Sequence, residues 1–114
     1  MKSIIILFIG VIFSIKIQAQ STIITSTLSV KGNCGECKER IENAVDIKGV
    51  KTSNWSEKTK IMTVTYDSKK VTLLQIEQAI AKAGHEASGI KADVAAYKSL
   101  PACCKYESAD CKKK

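Results

Sequence analysis

Two cysteines three positions apart, Cys34 and Cys37, are the residues of this chain best suited to carry chemistry. Two thiolates at this spacing can hold one soft metal ion such as Cu(I), which prefers sulfur to the oxygen ligands that suit Mg²⁺ and Ca²⁺. The same two thiols can also close a disulfide and open it again. The spacing alone therefore leaves three alternatives: a metal site, a redox pair and a structural disulfide.

The elements around this pair indicate how it is positioned. β-branched residues before Val30 alternate as in a strand, and Cys37 begins a helical pattern that continues through Ile41 and Val45. A loop-to-helix junction presents free backbone N–H groups and the positive end of a helix dipole, and both favour a thiolate. A site with only two protein thiolates stays open, so an incoming sulfur ligand can take the ion. The position therefore suits metal transport.

The rest of the pattern predicts the fold. Strands are expected at Val50–Trp55 and Ile61–Asp67, joined by a turn short enough for a hairpin. Thr72 is expected to cap a second helix that stops at Gly84, and a last strand is expected from about 86 to 94. The order β-α-β-β-α-β predicts an α+β, ferredoxin-like sandwich with two helices on a four-stranded antiparallel sheet.

The first residues have the layout of a secretory signal. Lys2 precedes an apolar run from Ile4 to Phe13, and Ala19 offers a small residue for cleavage. The run is shorter than the roughly 20 apolar residues that a membrane span needs. We therefore expect a signal peptide at 1–20, a domain at 21–95 and a cysteine-containing tail at 96–114. An exported protein follows from this plan, either periplasmic or secreted.

Composition argues against two classes of function. The formal charge is +7, but the lysines are scattered and only one arginine is present, so nucleic acid is not an expected partner. The chain has a single histidine and no recognisable acid–base pair, so no enzyme activity is expected.

The Cys34-x-x-Cys37 motif within the βαββαβ order resembles the heavy-metal-associated domain family over about residues 26–94. That family comprises copper chaperones, amino-terminal domains of copper ATPases and periplasmic mercury-binding proteins. The resemblance implies that Cys34 and Cys37 bind Cu(I), with Hg(II) or another soft ion as the alternative. It also implies handover to a metal-transporting membrane protein or to another CxxC domain, and it allows a dimer bridged by a shared ion.

Two positions depart from the family pattern. Gly32 stands where the family usually has a Met that packs beneath the metal loop, so a looser loop is expected. His85, the only histidine, lies in a loop that faces the metal loop in the family fold. We expect it either to be a third ligand or to fill the place of the aromatic residue that many members have there.

The tail adds three cysteines, Cys103, Cys104 and Cys111, outside the usual domain. They could hold a second soft-metal ion, cover Cys34 and Cys37, or close a disulfide such as Cys104–Cys111. The total of five cysteines leaves at least one thiol that is unpaired, ligated or bonded between chains.

The leading hypothesis is an exported soft-metal chaperone or scavenger that passes its ion to a partner by ligand exchange. One alternative is a thiol–disulfide redox protein in which Cys34 and Cys37 cycle with the tail cysteines. Another is a small interaction domain stabilised by disulfides.

Overall fold

The computed structural model describes residues 22–107 of the 114-residue chain. The predicted signal peptide at 1–20 and Cys111 lie outside the described residues. The elements in chain order are β1 (Ile23–Ser29), α1 (Gly35–Ala44), β2 (Val50–Trp55), β3 (Ile61–Asp67), α2 (Leu73–Lys82), α3 (Val94–Lys98) and a short 3₁₀ helix (Ala102–Cys104).

The sheet is antiparallel with the strand order β1-β3-β2, so β3 lies in the centre. Met62 of β3 pairs with Leu28 on one side and with Trp55 on the other. Met62, Val64 and Tyr66 are buried while their neighbours Ile61 and Thr63 are exposed. The two-residue period therefore places the apolar side chains of β3 in the core, as the sequence predicts.

Both predicted helices are present and pack their apolar faces into the core. Cys37 and Ile41 are the buried residues of α1, and Ile76 and Ile80 are buried in α2. Thr72 caps α2 by a reciprocal pair of hydrogen bonds. Its Oγ1 accepts from the Gln75 N–H at 3.2 Å, and the Gln75 Oε1 accepts from the Thr72 N–H at 2.9 Å. The result is the predicted α+β, ferredoxin-like arrangement.

The prediction of a fourth strand at 86–94 is wrong. Within residues 22–107 the sheet has three strands. In this segment Ala87 and Ile90 form isolated bridges only: Ala87 pairs with Val30, which directly follows β1, and with Ile90. Ser88 and Gly89 have φ angles of 47° and 84°, which turn the chain sharply and prevent an extended strand. The chain then enters α3.

Residues 96–107, the described part of the predicted tail, form helical turns that pack on the domain. Asp93 caps α3, since its carboxylate accepts a hydrogen bond from the Ala96 N–H at 3.0 Å. Leu100 and Cys104 are both buried in the core. Within residues 22–107, no helix has the length and apolar character needed to cross a membrane.

Candidate metal centre

The start of α1 holds the two cysteines of the CxxC motif. Cys34 precedes the helix with extended backbone (φ −145°, ψ 178°), and Cys37 lies in the first turn. Cys34 is partly exposed, whereas Cys37 is fully buried. Their Sγ atoms lie 3.5 Å apart. The pair therefore presents one accessible sulfur and one that is held in the protein interior.

The surroundings of Cys34 favour its thiolate. Burial acts to raise the pKa of this thiol, but hydrogen bonds from the Cys37 backbone N–H and from the neighbouring thiols outweigh it. The pKa of Cys34 therefore lies below its ordinary value. A thiolate is the form that attacks other sulfurs and binds metal ions, so the partly exposed Cys34 is suited to both reactions.

A third thiol from the tail completes the group. The Sγ of Cys104 lies 3.9 Å from that of Cys34, although 70 residues separate them. The Sγ atoms of Cys34, Cys37 and Cys104 all lie within 4.8 Å of one another. Burial raises the pKa of the Cys104 thiol far above its ordinary value, and the nearby Cys37 thiol adds to this shift. Without a metal ion, Cys104 is therefore a neutral thiol.

Cys103 lies beside this group and is partly exposed. Its thiol donates a hydrogen bond to the Glu36 carboxylate at 3.0 Å, which raises the pKa of Cys103 to about 11. Its Sγ lies 3.9 Å from that of Cys104, and ligand atoms of Glu36, Cys103 and Cys104 form a second close group. The two groups share Cys104, so the tail thiols adjoin the CxxC pair. The cysteines at 34, 37, 103 and 104 are all free thiols.

His85 takes a different place. It is fully buried, and its Nδ1–H donates to the Lys31 carbonyl oxygen at 2.8 Å. Its ring stacks on Tyr106 with 5.6 Å between centroids. Among the described residues, the close groups of potential metal ligands do not include His85. Burial lowers the pKa of its imidazole, so the ring is a neutral link between two loops.

The space beneath the metal loop is filled by an aromatic ring from β2. A Cβ on Gly32 would lie 2.9 Å from Cζ2 of Trp55 and 3.2 Å from Cβ of Cys37. The indole Nε1–H donates to the Val30 carbonyl oxygen at 3.0 Å, which fixes the ring. Trp55 therefore occupies the space that a larger residue at position 32 would need, and the looser loop stays a prediction.

Lys38, next to the second thiol, ties α1 to the end of β2. Its ammonium group donates to Glu42 Oε1 at 2.7 Å, Asn54 Oδ1 at 2.8 Å and the Trp55 carbonyl oxygen at 2.9 Å. The bond to Glu42 lies within α1, and the other two brace the helix against the strand that carries the indole ring. Lys38 thus helps to position Cys37.

A family model described as the heavy-metal-associated domain matches residues 27–86 of the chain. The chain belongs to this family. The match includes Cys34, Cys37 and His85, and it ends before Cys103 and Cys104. The tail thiols that join the centre therefore lie outside the part that defines the heavy-metal-associated domain.

Individual relatives agree with this assignment. The copper chaperone CopZ of Staphylococcus saprophyticus is 34% identical over 64 residues, which cover 54% of this chain and 94% of CopZ. The crystal structure of oxidised MerP from Ralstonia metallidurans has a TM-score of 0.55 at 31% identity, covering 58% of this chain and 94% of MerP. A copper-binding domain of the P-type ATPase HMA7 has a TM-score of 0.54 at 26% identity, covering 55% of this chain and 88% of that domain.

Proposed function

We propose that this protein binds a single soft metal ion, Cu(I) above all, through Cys34 and Cys37 and passes it to a partner by thiolate exchange. The observation that carries the proposal is the pair of free thiols 3.5 Å apart at the start of α1. Copper is supported by the relatives named as a copper chaperone and as a copper-binding ATPase domain. Hg(II) is the alternative cargo, supported by the likeness to MerP.

The two thiols have different parts in this process. The partly exposed Cys34 is the first to meet an incoming ion, because its sulfur is accessible and its pKa is lowered. Cys37 then adds a second bond from the interior, where water does not compete for the ion. Each thiol gives its proton to solvent as its sulfur–metal bond forms, and the oxidation state of the ion does not change.

Handover uses the same chemistry in reverse. A thiolate of the partner bonds to the ion before a bond to this protein breaks, so the ion is never free in solution. Suitable partners are a metal-transporting membrane protein or another CxxC domain, since both offer paired thiolates. The ion enters and leaves unchanged, and the role therefore requires no catalysis. Export by the signal peptide at 1–20 would place this exchange in the periplasm or outside the cell.

The test is an anaerobic titration of the purified, fully reduced protein with Cu(I), followed by native mass spectrometry. We expect one tightly held ion in the unaltered protein and none in the double variant Cys34→Ser with Cys37→Ser. Gly35→Ala is the matched control, because it alters a residue between the two cysteines without removing a thiol and a Cβ there meets nothing within 4 Å. Tight binding that survives the double substitution would refute the assignment of this pair.

The proximity of the two free thiols also favours a second candidate, a thiol–disulfide redox protein. This reading predicts that Cys34 and Cys37 reach a measurable equilibrium in glutathione redox buffers while the reduced protein binds no ion tightly. The reading as a disulfide-stabilised interaction domain predicts instead that reductant lowers the free energy of unfolding. Unfolding curves with and without reductant separate it from the other two.

A further inference from the structure

Three sulfur atoms converge at the start of α1, and their spacing suits one ion. With metal–sulfur bonds of about 2.3 Å, two sulfurs on opposite sides of an ion lie about 4.6 Å apart, and three in a plane lie about 4 Å apart. The observed separations are 3.5 Å between Cys34 and Cys37 and 3.9 Å between Cys34 and Cys104. They are closer to the planar three-sulfur arrangement than to the linear one.

Cys104 is held at this place by the packing of residues that precede it in the chain. Leu100 is buried in the core at 4% exposure. It lies over Gly84, where an added Cβ would be 3.1 Å from Leu100 Cδ2 and 3.0 Å from the Ala96 carbonyl oxygen. The Cys104 N–H then donates to the Pro101 carbonyl oxygen at 2.8 Å, which closes the 3₁₀ turn that carries the thiol.

A second anchor follows Cys104. The Tyr106 hydroxyl donates to the Gly84 carbonyl oxygen at 3.1 Å and accepts from the Glu86 N–H at 3.1 Å. Its ring packs on His85 and meets the edge of Tyr97 at a centroid distance of 5.0 Å. The thiol therefore lies between two fixed points of the chain, and the anchoring contacts need no metal ion.

We propose that Cys104 is the third thiolate ligand of the ion held by Cys34 and Cys37, so that the tail closes the site. The inference rests on the proposed metal-binding function and adds to it a residue outside the family match. Binding converts three thiols to three metal-bound thiolates and releases their protons to solvent, with no change of oxidation state. The buried position of Cys104 shields this third bond from competing ligands.

Closure by the tail changes how the ion leaves. A partner thiolate must form its bond to the ion while the bond to Cys104 breaks, after which Cys104 takes up a proton from solvent. The site is thereby open only to a partner that displaces the tail, and small thiols exchange slowly. The protein then retains its ion between partners instead of releasing it to any thiol it meets.

X-ray absorption of the Cu(I)-loaded protein tests the coordination directly. We expect three sulfur neighbours in the unaltered protein and two in Cys104→Ser. Cys103→Ser is the matched control, because Cys103 is the adjacent thiol but its S–H is hydrogen-bonded to the Glu36 carboxylate. It should keep three sulfur neighbours. Unfolding curves of the metal-free variants show whether each variant folds. The number of sulfur neighbours in the unaltered protein tests the proposal even if a variant does not fold.

The rate of Cu(I) transfer to an excess of bathocuproine disulfonate provides the second readout. Transfer from Cys104→Ser should be faster by about tenfold or more, because losing even a residue that only supports a ligand commonly lowers metal affinity by about tenfold. Transfer from Cys103→Ser should match the unaltered protein.

The outcomes separate this inference from the function on which it rests. Two sulfur neighbours in the unaltered protein would overturn the role of Cys104 and leave the CxxC site intact. If Cys103→Ser loses the third sulfur neighbour and Cys104→Ser keeps it, the role of Cys104 is overturned and Cys103 is the third ligand instead. If the unaltered protein binds no Cu(I), the proposed function itself fails and the third ligand with it.

Discussion

The indole ring of Trp55 lies against Gly32 so closely that a single added methyl group at position 32 would fall 2.9 Å from its Cζ2 atom. The ring, fixed by its hydrogen bond to the Val30 carbonyl, fills the space beneath the loop that carries Cys34. The backbone at Gly32 has no positive φ angle, so glycine is required there for space alone. The loop is thus supported by a ring from a different strand.

Replacing Gly32 by Ala should therefore destabilise the protein. Neither the fixed ring nor Cys37 can move freely, and overpacking of this kind typically costs about 1–3 kcal/mol. Urea unfolding of the reduced, metal-free protein measures the change in the free energy of unfolding. Gly35→Ala is the matched control, since a Cβ there meets nothing within 4 Å. An equal loss of stability in both variants would contradict the role of Trp55.

Tyr106→Phe should loosen the tail around Cys104. The substitution removes the hydroxyl that bridges the Gly84 carbonyl and the Glu86 N–H, at a cost of about 1–3 kcal/mol for each of these groups that stays unsatisfied. We expect faster labelling of Cys104 by a thiol reagent, located by mass spectrometry, because the tail opens more often.

Tyr97→Phe is the control for the tail experiment. The Tyr97 hydroxyl accepts an exposed hydrogen bond from the Glu107 N–H at 3.2 Å, so its loss should change the labelling of Cys104 little. Similar labelling rates for Cys104 in Tyr106→Phe and in the unaltered protein would show that the hydroxyl does not hold the tail.

His85 should make stability depend on pH. Burial lowers its pKa below 6.5 in the folded protein, and the charge of Arg40 acts in the same direction, while the Lys31 carbonyl opposes them. Between the folded and unfolded pKa values the unfolded chain binds more protons. The free energy of unfolding should therefore fall as pH is lowered from about 7 to about 5.

The slope of that pH dependence is the readout for His85. Because the chain has one histidine, His85→Gln should flatten the slope in this window, whatever its effect on absolute stability. Denaturant unfolding at several pH values measures it, and the imidazole signals in NMR report the folded pKa independently. A slope that persists unchanged in the variant would assign it to other groups.

Closure by Cys104 should also decide the oligomeric state of the loaded protein. A two-thiolate site leaves the ion open to a thiolate of a second molecule, whereas a third internal sulfur fills that position. One equivalent of Cu(I) should leave the unaltered protein monomeric and should convert part of Cys104→Ser to a metal-bridged dimer. Sedimentation velocity with and without Cu(I) distinguishes the two, and equal dimer fractions in both proteins would argue against closure.

Local patterns were sufficient to predict most of the elements. The alternation of Met62, Val64 and Tyr66 predicts β3 correctly, and Thr72 marks the start of α2. Such signals depend on neighbours in the chain, which share one face of a strand or one turn of a helix. The fourth strand was wrong because the φ angles of Ser88 and Gly89 turn the chain, and an apolar pattern does not encode that turn.

The sequence by itself determined that Cys34 and Cys37 meet, since residues three apart at the start of a helix are always close. Only the tertiary structure decided what joins them. Cys104 reaches the pair through the docking of Leu100 and Tyr106 on the loop after α2, and His85 is turned away to the Lys31 carbonyl. Contacts across about 70 residues depend on how the whole chain packs, and spacing along the chain carries no record of them.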